Sequence, residues 1–189
     1  MRIDEYQKLA MRTSADGHDR ILNGCMGLIG EAGEVVDAVK KWKFQSGDHA
    51  DLPKDKLIDE CGDVLWYCAE LATGLADDMN GLYETLYDNF YNHIHVLSTL
   101  LPIEKSASFL AAVAVRPFLK MYDAAENIPF EYKAAQAKSE LVGIMCFVGE
   151  ILERHCDSNL AECMERNIEK LRKRYPDGFD PERSIHRES

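Results

Sequence analysis

Apolar residues recur at intervals of three and four along most of the chain, the spacing that places them on one face of an α-helix. No alternating runs of β-branched residues joined by Asn-Gly or Asp-Gly turns, the signature of β-hairpins, are evident. The predicted helices cover roughly 2–13, 19–43, 54–77, 80–100, 105–126, 130–155 and 158–174. The sequence therefore predicts an all-α fold, a helical bundle.

Glycine and proline mark the predicted ends of these helices, because both residues favour turns and proline cannot continue a helix. The breaks are Asp16-Gly17, Ser46-Gly47-Asp48, Pro53, Leu101-Pro102 and Ile128-Pro129. Pro117 lies inside the segment 105–126 and should kink that helix or divide it near Arg116.

Two of the predicted helices each carry a pair of acids three residues apart, Glu31 with Glu34 and Glu60 with Asp63. This spacing places both side chains of a pair on one helix face, within reach of one cation. In each helix the first acid lies roughly 80° from the centre of the apolar stripe and the second roughly 140° from it. The stripes are Leu28, Ala32, Val35, Val36 and Val39 in one helix, and Leu57, Cys61, Val64, Leu65 and Cys68 in the other. If the helices pack antiparallel through these stripes, the four carboxylates converge at the edge of the interface.

Four converging carboxylates repel one another, and a divalent cation is the usual relief. Oxygen ligands favour Mg²⁺, with Mn²⁺ as a substitute, over zinc or copper. Di-iron bundles also use helix carboxylates, but they need a Glu-x-x-His motif, which this sequence lacks. A single acid pair is most often solvated surface, whereas two pairs in matching phase are harder to explain in that way.

Glycines lie next to both acid pairs, and four of them follow one side of the first helix. They are Gly24, Gly27, Gly30 and Gly33. Glycine in a helix interior costs about 1 kcal/mol relative to alanine. We therefore expect a partner helix or a ligand to come close along this row.

Composition and charge exclude several classes of protein. The 33 acidic residues outnumber the 22 basic ones and give a net charge of −11, which argues against binding to duplex nucleic acid. A polyphosphate ligand would need a metal ion as mediator. The sequence has no apolar run long enough for a membrane span and no signal peptide, so we expect a cytoplasmic protein. The six cysteines contain no Cys-x-x-Cys pair and are expected to be buried, reduced thiols.

A weak internal similarity appears when the sequence is shifted by 80 residues. The shift lays Glu60, Val64, Leu65 and Glu70 on Glu140, Ile144, Met145 and Glu150, with Asp63 on Gly143. A second helical unit without the acid pair is one interpretation. The other is that any two amphipathic helices align this well.

The two acid pairs, separated by 25 residues, resemble the signature of the MazG-like nucleoside triphosphate pyrophosphohydrolases, all-α relatives of the dimeric dUTPases. The C-terminal run Asn167-Ile-Glu-Lys170 and the following Arg174-Tyr175-Pro-Asp-Gly-Phe also match. The resemblance implies a single all-α domain, 1–189, with a MazG-like core at 1–77 and 158–187. Residues 78–157 would be an inserted helical block or a degenerate repeat. One departure is Gly30, where family members often carry a second glutamate before Glu31.

The resemblance implies cleavage of a (d)NTP substrate between its α and β phosphates, giving (d)NMP and pyrophosphate. Glu31, Glu34, Glu60 and Asp63 would bind Mg²⁺, and Glu31 or Glu34 would accept the proton of the attacking water. Lys40, Lys41, Lys170 and Arg174 are candidates for contacts to phosphate, and the resemblance favours Asn167, Lys170 and Tyr175 for phosphate or sugar. Related proteins assemble as dimers or tetramers, so a homo-oligomer is expected.

Two alternatives stay open from the sequence. One is a regulatory protein that binds a metal and a nucleotide without cleaving the nucleotide. The other is an interaction scaffold without a ligand. Trp42 and Trp66 could stack on a base, although tryptophan on an amphipathic helix more often serves packing. The histidines show no metal-binding spacing and are expected to be structural or solvent-facing.

Overall fold

The computed structural model describes residues 1–46, 50–76, 79, 101–123 and 128–180. Its α-helices are α1 (Ile3–Ala10), α2 (Arg20–Gln45), α3 (Lys54–Gly74), α4 (Ile103–Ala114), α5 (Arg116–Met121), α6 (Phe130–His155) and α7 (Leu160–Arg174), and a 3₁₀ turn (Met11–Thr13) follows α1. All regular structure in these ranges is helical, which confirms the all-α class. The predicted helix 80–100 lies outside the described residues. Among the helices described, none is both long and apolar enough to cross a membrane.

The helix ends follow local sequence chemistry. Asp19 caps the start of α2, where its side chain accepts a hydrogen bond from the Leu22 amide (3.0 Å). Asn159 does the same for α7 through the Glu162 amide (3.0 Å). The prediction that Pro117 divides the segment 105–126 is confirmed, because α4 ends at Ala114 and α5 begins at Arg116.

Helices α2 and α3 form an antiparallel pair. Gly24 approaches Leu71 and Gly27 approaches Tyr67, so positions rise along one helix as they fall along the other. A Cβ on Gly24 would lie 2.7 Å from Leu71, and one on Gly27 would lie 2.1 Å from the Tyr67 ring. The predicted close approach is therefore confirmed for these two glycines. At Gly30 and Gly33 an added Cβ would meet nothing within 4 Å, so no described helix approaches these two positions, and the approach of a ligand there stays a prediction.

The predicted apolar stripes form the contact between α2 and α3. Every stripe residue is buried except Val36, which is half-buried. Burial of both stripes fixes the rotation of each helix about its axis. That rotation directs the acid pairs of the two helices toward the same edge of the interface.

Helix α7 lies parallel to α3 and closes one side of that edge. The Arg166 guanidinium bridges two carboxylates of α3, with Nη1 2.7 Å from Asp55 Oδ1 and Nε 2.8 Å from Asp59 Oδ1. One turn further along α3, a Cβ on Gly62 would lie 3.1 Å from Asn167, so glycine lets α7 approach closely. This packing places the C-terminal motif of α7 beside the second acid pair.

The added helices pack on the other faces of this pair. Helix α4 lies against α2, α6 lies against α3 and α4, and α5 lies against α6. Glu70 and Glu150, which the 80-residue shift aligns, are both buried, at 0% and 1% exposure. A degenerate repeat at 78–157 stays a prediction.

All six cysteines are buried and free, as the sequence predicted. They are Cys25, Cys61, Cys68, Cys146, Cys156 and Cys163. Burial raises the pKa of each thiol, because an apolar environment disfavours the thiolate. The thiols therefore pack as small hydrophobic groups.

Candidate active site

Three of the four predicted acids converge. Glu31 of α2 and Glu60 and Asp63 of α3 each offer a carboxylate oxygen, and these oxygens lie within 4.8 Å of one another. Opposite oxygen ligands of one Mg²⁺ ion are about 4.2 Å apart. The spacing and the all-oxygen donor set therefore fit a divalent cation.

Glu34 is the exposed member of the predicted set and lies outside this group of three. The phase of the helices accounts for the exposure of Glu34, because the second acid of each pair points further from the buried stripe than the first. Glu60 is accordingly only 6% exposed, whereas Glu31 and Asp63 are half-buried. The phase does not account for the exclusion of Glu34 from the group, since Asp63 is also a second acid and belongs to it. Glu34 still acts on the site: the pKa of Lys56 is raised first by its hydrogen bond to Glu60, and the charge of Glu34 adds to that rise.

Lysines balance the charge of the two acids from α3. Lys56 forms an ion pair with Glu60 one turn away on the same helix. Lys170 of α7 places Nζ 2.5 Å from Asp63 Oδ1. Both ammonium groups therefore lie beside the carboxylates of the acid cluster.

Buried groups of α1 and α7 also hold the Asp63 carboxylate in place. Asn167 is 2% exposed, and its Nδ2 donates to Asp63 Oδ1 (3.1 Å). The Tyr6 hydroxyl from α1 contacts Asn167 Oδ1 (2.9 Å) and the Gly62 carbonyl (3.3 Å). Since both Tyr6 and Asn167 are buried, this network fixes the orientation of the Asp63 carboxylate.

A cleft of about 340 Å³ begins at two of these acids, Glu31 and Asp63. Its lining comprises Glu31, Asp63, Arg174, Tyr175, Leu171, Phe179, Trp66, Tyr67, Thr13, Ala15, His18 and Asn23. The Trp66 ring is fixed, because its N–H lies 3.0 Å from Thr13 Oγ1 and 3.2 Å from the Ala10 carbonyl. Trp66 and Tyr67 meet edge to face at 4.8 Å between ring centroids. The cleft thus combines carboxylates, a guanidinium and aromatic rings.

Comparison with known proteins assigns the segment that bears the acids. The family model of the MazG nucleotide pyrophosphohydrolase domain matches residues 22–88. The "Gene 37 protein" of Mycobacterium phage L5 is 37% identical in an alignment of 83 residues that covers 40% of this chain and 73% of that protein. The chain belongs to the MazG nucleotide pyrophosphohydrolase family. No solved structure matches it.

The segment that matches the MazG domain includes α2, α3 and all four acids, whereas α7 lies outside it. The C-terminal residues predicted to contact substrate nevertheless reach the site. Asn167 and Lys170 contact Asp63, and Arg174 and Tyr175 line the cleft. Their contacts to a nucleotide stay a prediction.

Lys40 and Lys41 of the MazG domain are not among the cleft residues. Both are exposed on α2 and form ion pairs with Asp37, at 2.6 Å for Lys41. Hydrogen bonds from the two lysines lower the pKa of Asp37 to about 2. The structure therefore pairs these lysines with a carboxylate of their own helix.

The sequence did not reveal a second polar cluster, centred on Glu70 of α3. Glu70 is fully buried and is bound by Ser14, His18, Arg20 and Asn23. Two of these residues precede α2, so no helical spacing connects them with Glu70. The detectable signal was an acid inside the apolar pattern of α3. His18, which the sequence leaves as structural or solvent-facing, contacts this carboxylate and also lines the cleft.

Proposed function

We propose that this protein is a metal-dependent nucleotide pyrophosphohydrolase that cleaves a (d)NTP to (d)NMP and pyrophosphate. The observation that supports this most directly is the convergence of Glu31, Glu60 and Asp63 at a cleft, within the segment that matches the MazG domain. The cleft is of the size that a small ligand occupies.

Glu31, Glu60 and Asp63 would hold Mg²⁺, with Mn²⁺ as a substitute, and Glu34, one turn further along α2, would be a fourth ligand. When bound there, the ion would neutralise phosphate charge and activate the attacking water. The burial of Glu60 strengthens its interaction with a cation, because the surroundings screen charge less than water does.

Positive and polar groups of the chain would position the polyphosphate. The Lys170 ammonium already lies at the site, where it pairs with Asp63. Once a cation neutralises the carboxylates, this ammonium can leave Asp63 and bind a phosphate oxygen. Arg174 and Tyr175 line the same cleft. Tyr6 and Asn167 keep Asp63 in place while Lys170 moves.

Two carboxylates are candidates for the general base. Glu31 lines the cleft, and Glu34 is exposed one turn away. A general base must come within hydrogen-bond reach of the attacking water. The Glu31→Gln and Glu34→Gln variants separate the candidates: the base variant loses kcat with little change in Mg²⁺ affinity, whereas loss of a ligand weakens metal binding.

The test is to incubate the protein with Mg²⁺ and a panel of nucleoside triphosphates, and to assay pyrophosphate. We expect release with at least one nucleotide and its loss in the Asp63→Asn variant. If no nucleotide gives pyrophosphate, the hydrolase proposal is wrong. Metal-dependent nucleotide binding without release would instead favour a regulatory protein. The homo-oligomer stays a prediction, which sedimentation equilibrium can test.

A further inference from the structure

The cleft extends from the acids toward a second polar end. Asn23 and Glu31 both line it, and they are eight residues apart on α2, which corresponds to about 12 Å along the helix axis. Trp66 and Tyr67 form part of the wall. The distance is comparable to the span from the phosphates of a nucleotide to the far edge of its base, and aromatic walls suit a stacked base.

Glu70 organises this far end of the cleft. Its Oε2 lies 2.8 Å from Ser14 Oγ and 2.8 Å from an Arg20 nitrogen. Its Oε1 lies 2.5 Å from His18 Nε2 and 3.3 Å from Asn23 Nδ2. Arg20 supplies the positive charge that a fully buried carboxylate requires.

The chemistry of Glu70 decides which atoms remain for a ligand. An ionised carboxylate only accepts hydrogen bonds, so the Asn23 amide must turn its NH₂ group toward Glu70. The Asn23 Oδ1 atom then remains, and no group in the described part of the chain donates to it. Asn23 lines the cleft and so offers it an acceptor.

We propose that this end of the cleft reads the base of the nucleotide and selects an amino group at the position of cytosine C4 or adenine C6. The inference rests on the proposed function for its ligand class. An amino group donates to Asn23 Oδ1. A carbonyl at the same position, as in uracil or hypoxanthine, would place its oxygen against Asn23 Oδ1. Both atoms are acceptors, so neither would form a hydrogen bond.

Glu70 acts as a positioning residue in this account, because it holds the Asn23 amide and does not touch the base. In a Glu70→Gln variant the new amide can donate to Asn23 Oδ1. The Asn23 side chain can then rotate and offer its NH₂ group to the cleft. The preference should shift toward bases with a carbonyl, a change that simple loss of packing would not produce.

The test is calorimetric titration of the full chain, in Mg²⁺, with the α,β-methylene analogues of CTP, UTP, ATP and ITP. Each pair differs at the position in question, and the analogues resist cleavage. We expect CTP to bind about tenfold more tightly than UTP, and ATP than ITP, since each mismatch loses a hydrogen bond. Equal affinities within both pairs, or a preference for UTP and ITP, would overturn the inference.

Variants test the role of each group. Glu70→Gln should bring the CTP/UTP affinity ratio to one or below, and Glu131→Gln, at an exposed acid near the start of α6, should leave it unchanged. If Glu70→Gln does not fold, Asn23→Leu replaces it, because a side chain of similar size without polar atoms should bring the ratio to one. A ratio that persists in the folded variant contradicts the proposal.

The outcomes also separate this inference from the proposed hydrolase. Pyrophosphate release with equal binding of CTP and UTP analogues defeats the base selection alone. Selective binding of the analogues without pyrophosphate release from natural nucleotides defeats the hydrolase alone. If none of the analogues binds, the base selection fails, and pyrophosphate release from the natural nucleotides alone decides the hydrolase proposal.

Discussion

Asp63 is the residue at which most contacts of the candidate site meet. It shares the acid cluster with Glu31 and Glu60, accepts a hydrogen bond from Asn167 and pairs with Lys170. Asp63→Asn keeps the shape of the side chain but removes its charge. We expect Mg²⁺ affinity to fall by at least about tenfold and turnover by about a hundredfold, measured by metal titration and pyrophosphate release.

Asp59→Asn is the matched control for this variant. Asp59 lies on the same helix, but it faces the Arg166 guanidinium. We expect Asp59→Asn to leave Mg²⁺ affinity unchanged. Equal losses of metal affinity in the two variants would show that Asp63 acts only through the general charge of α3.

The Tyr6 hydroxyl stabilises the fold and the site together. Its removal in Tyr6→Phe leaves the buried Asn167 Oδ1 without this donor, so we expect the free energy of unfolding to fall by about 1 kcal/mol in urea. Mg²⁺ affinity should also fall several-fold, because Asn167 orients Asp63. Tyr132→Phe, at an exposed tyrosine of α6, is the control and should change neither quantity. Unchanged metal affinity in Tyr6→Phe would mean that the network is structural only.

At the scale of helices, two glycines of α2 have opposite roles. In Gly27→Ala the new methyl group would collide with the Tyr67 ring, and we expect a loss of about 1–3 kcal/mol. In Gly30→Ala the methyl group would enter open space, and we expect a gain of about 1 kcal/mol, since alanine favours a helix. Urea unfolding measures both. A gain in Gly27→Ala would contradict the close contact between α2 and α3.

The helices of the described segments could be predicted from sequence because their periodicity and breaks are strong. The division of the segment 105–126 at Pro117 and the burial of the apolar stripes of α2 and α3 were predicted from these signals and are confirmed. The phase also predicts the order of exposure, with Glu60 buried and Glu34 exposed. The angles of the acids about their helix axes could not show that Glu34 lies outside the group of three, because this also depends on the distance between the two axes.

The far end of the cleft could not be predicted in the same way. His18 lies in the connection before α2, Asn23 in the first turns of α2 and Glu70 near the end of α3. Contacts between separate segments carry no periodic signal. Lys40 and Lys41 illustrate the opposite case, because Asp37 lies within one helical turn of both lysines and offers a local partner.

At the scale of the whole molecule, the buried thiols give stability a pH dependence. Burial raises the pKa of Cys25, Cys146 and Cys163 to about 12, against an ordinary value near 9. The unfolded chain therefore releases thiol protons above pH 9 while the folded chain retains them. The free energy of unfolding should be unaffected by these groups below pH 9 and should fall above it, by about 1.4 kcal/mol per thiol and pH unit.

Urea unfolding at pH 8, 9 and 10 measures this dependence. Cys156→Ala tests the cause of the loss, because it removes one buried thiol, whose pKa burial raises to about 11. The variant should show a shallower loss of stability between pH 9 and 10 than the wild type. Equal slopes would mean that the thiols do not cause the loss.

The proposed function requires the acid cluster of the MazG domain to cleave a nucleoside triphosphate between its α and β phosphates. The most direct measurement is ³¹P NMR of a nucleoside triphosphate incubated with the protein and Mg²⁺. We predict that monophosphate and pyrophosphate form in equal amounts. Neither product should form in the presence of EDTA or when Asp63→Asn replaces the wild type. Diphosphate with inorganic phosphate, or cleavage that persists in EDTA and in Asp63→Asn, would contradict the account.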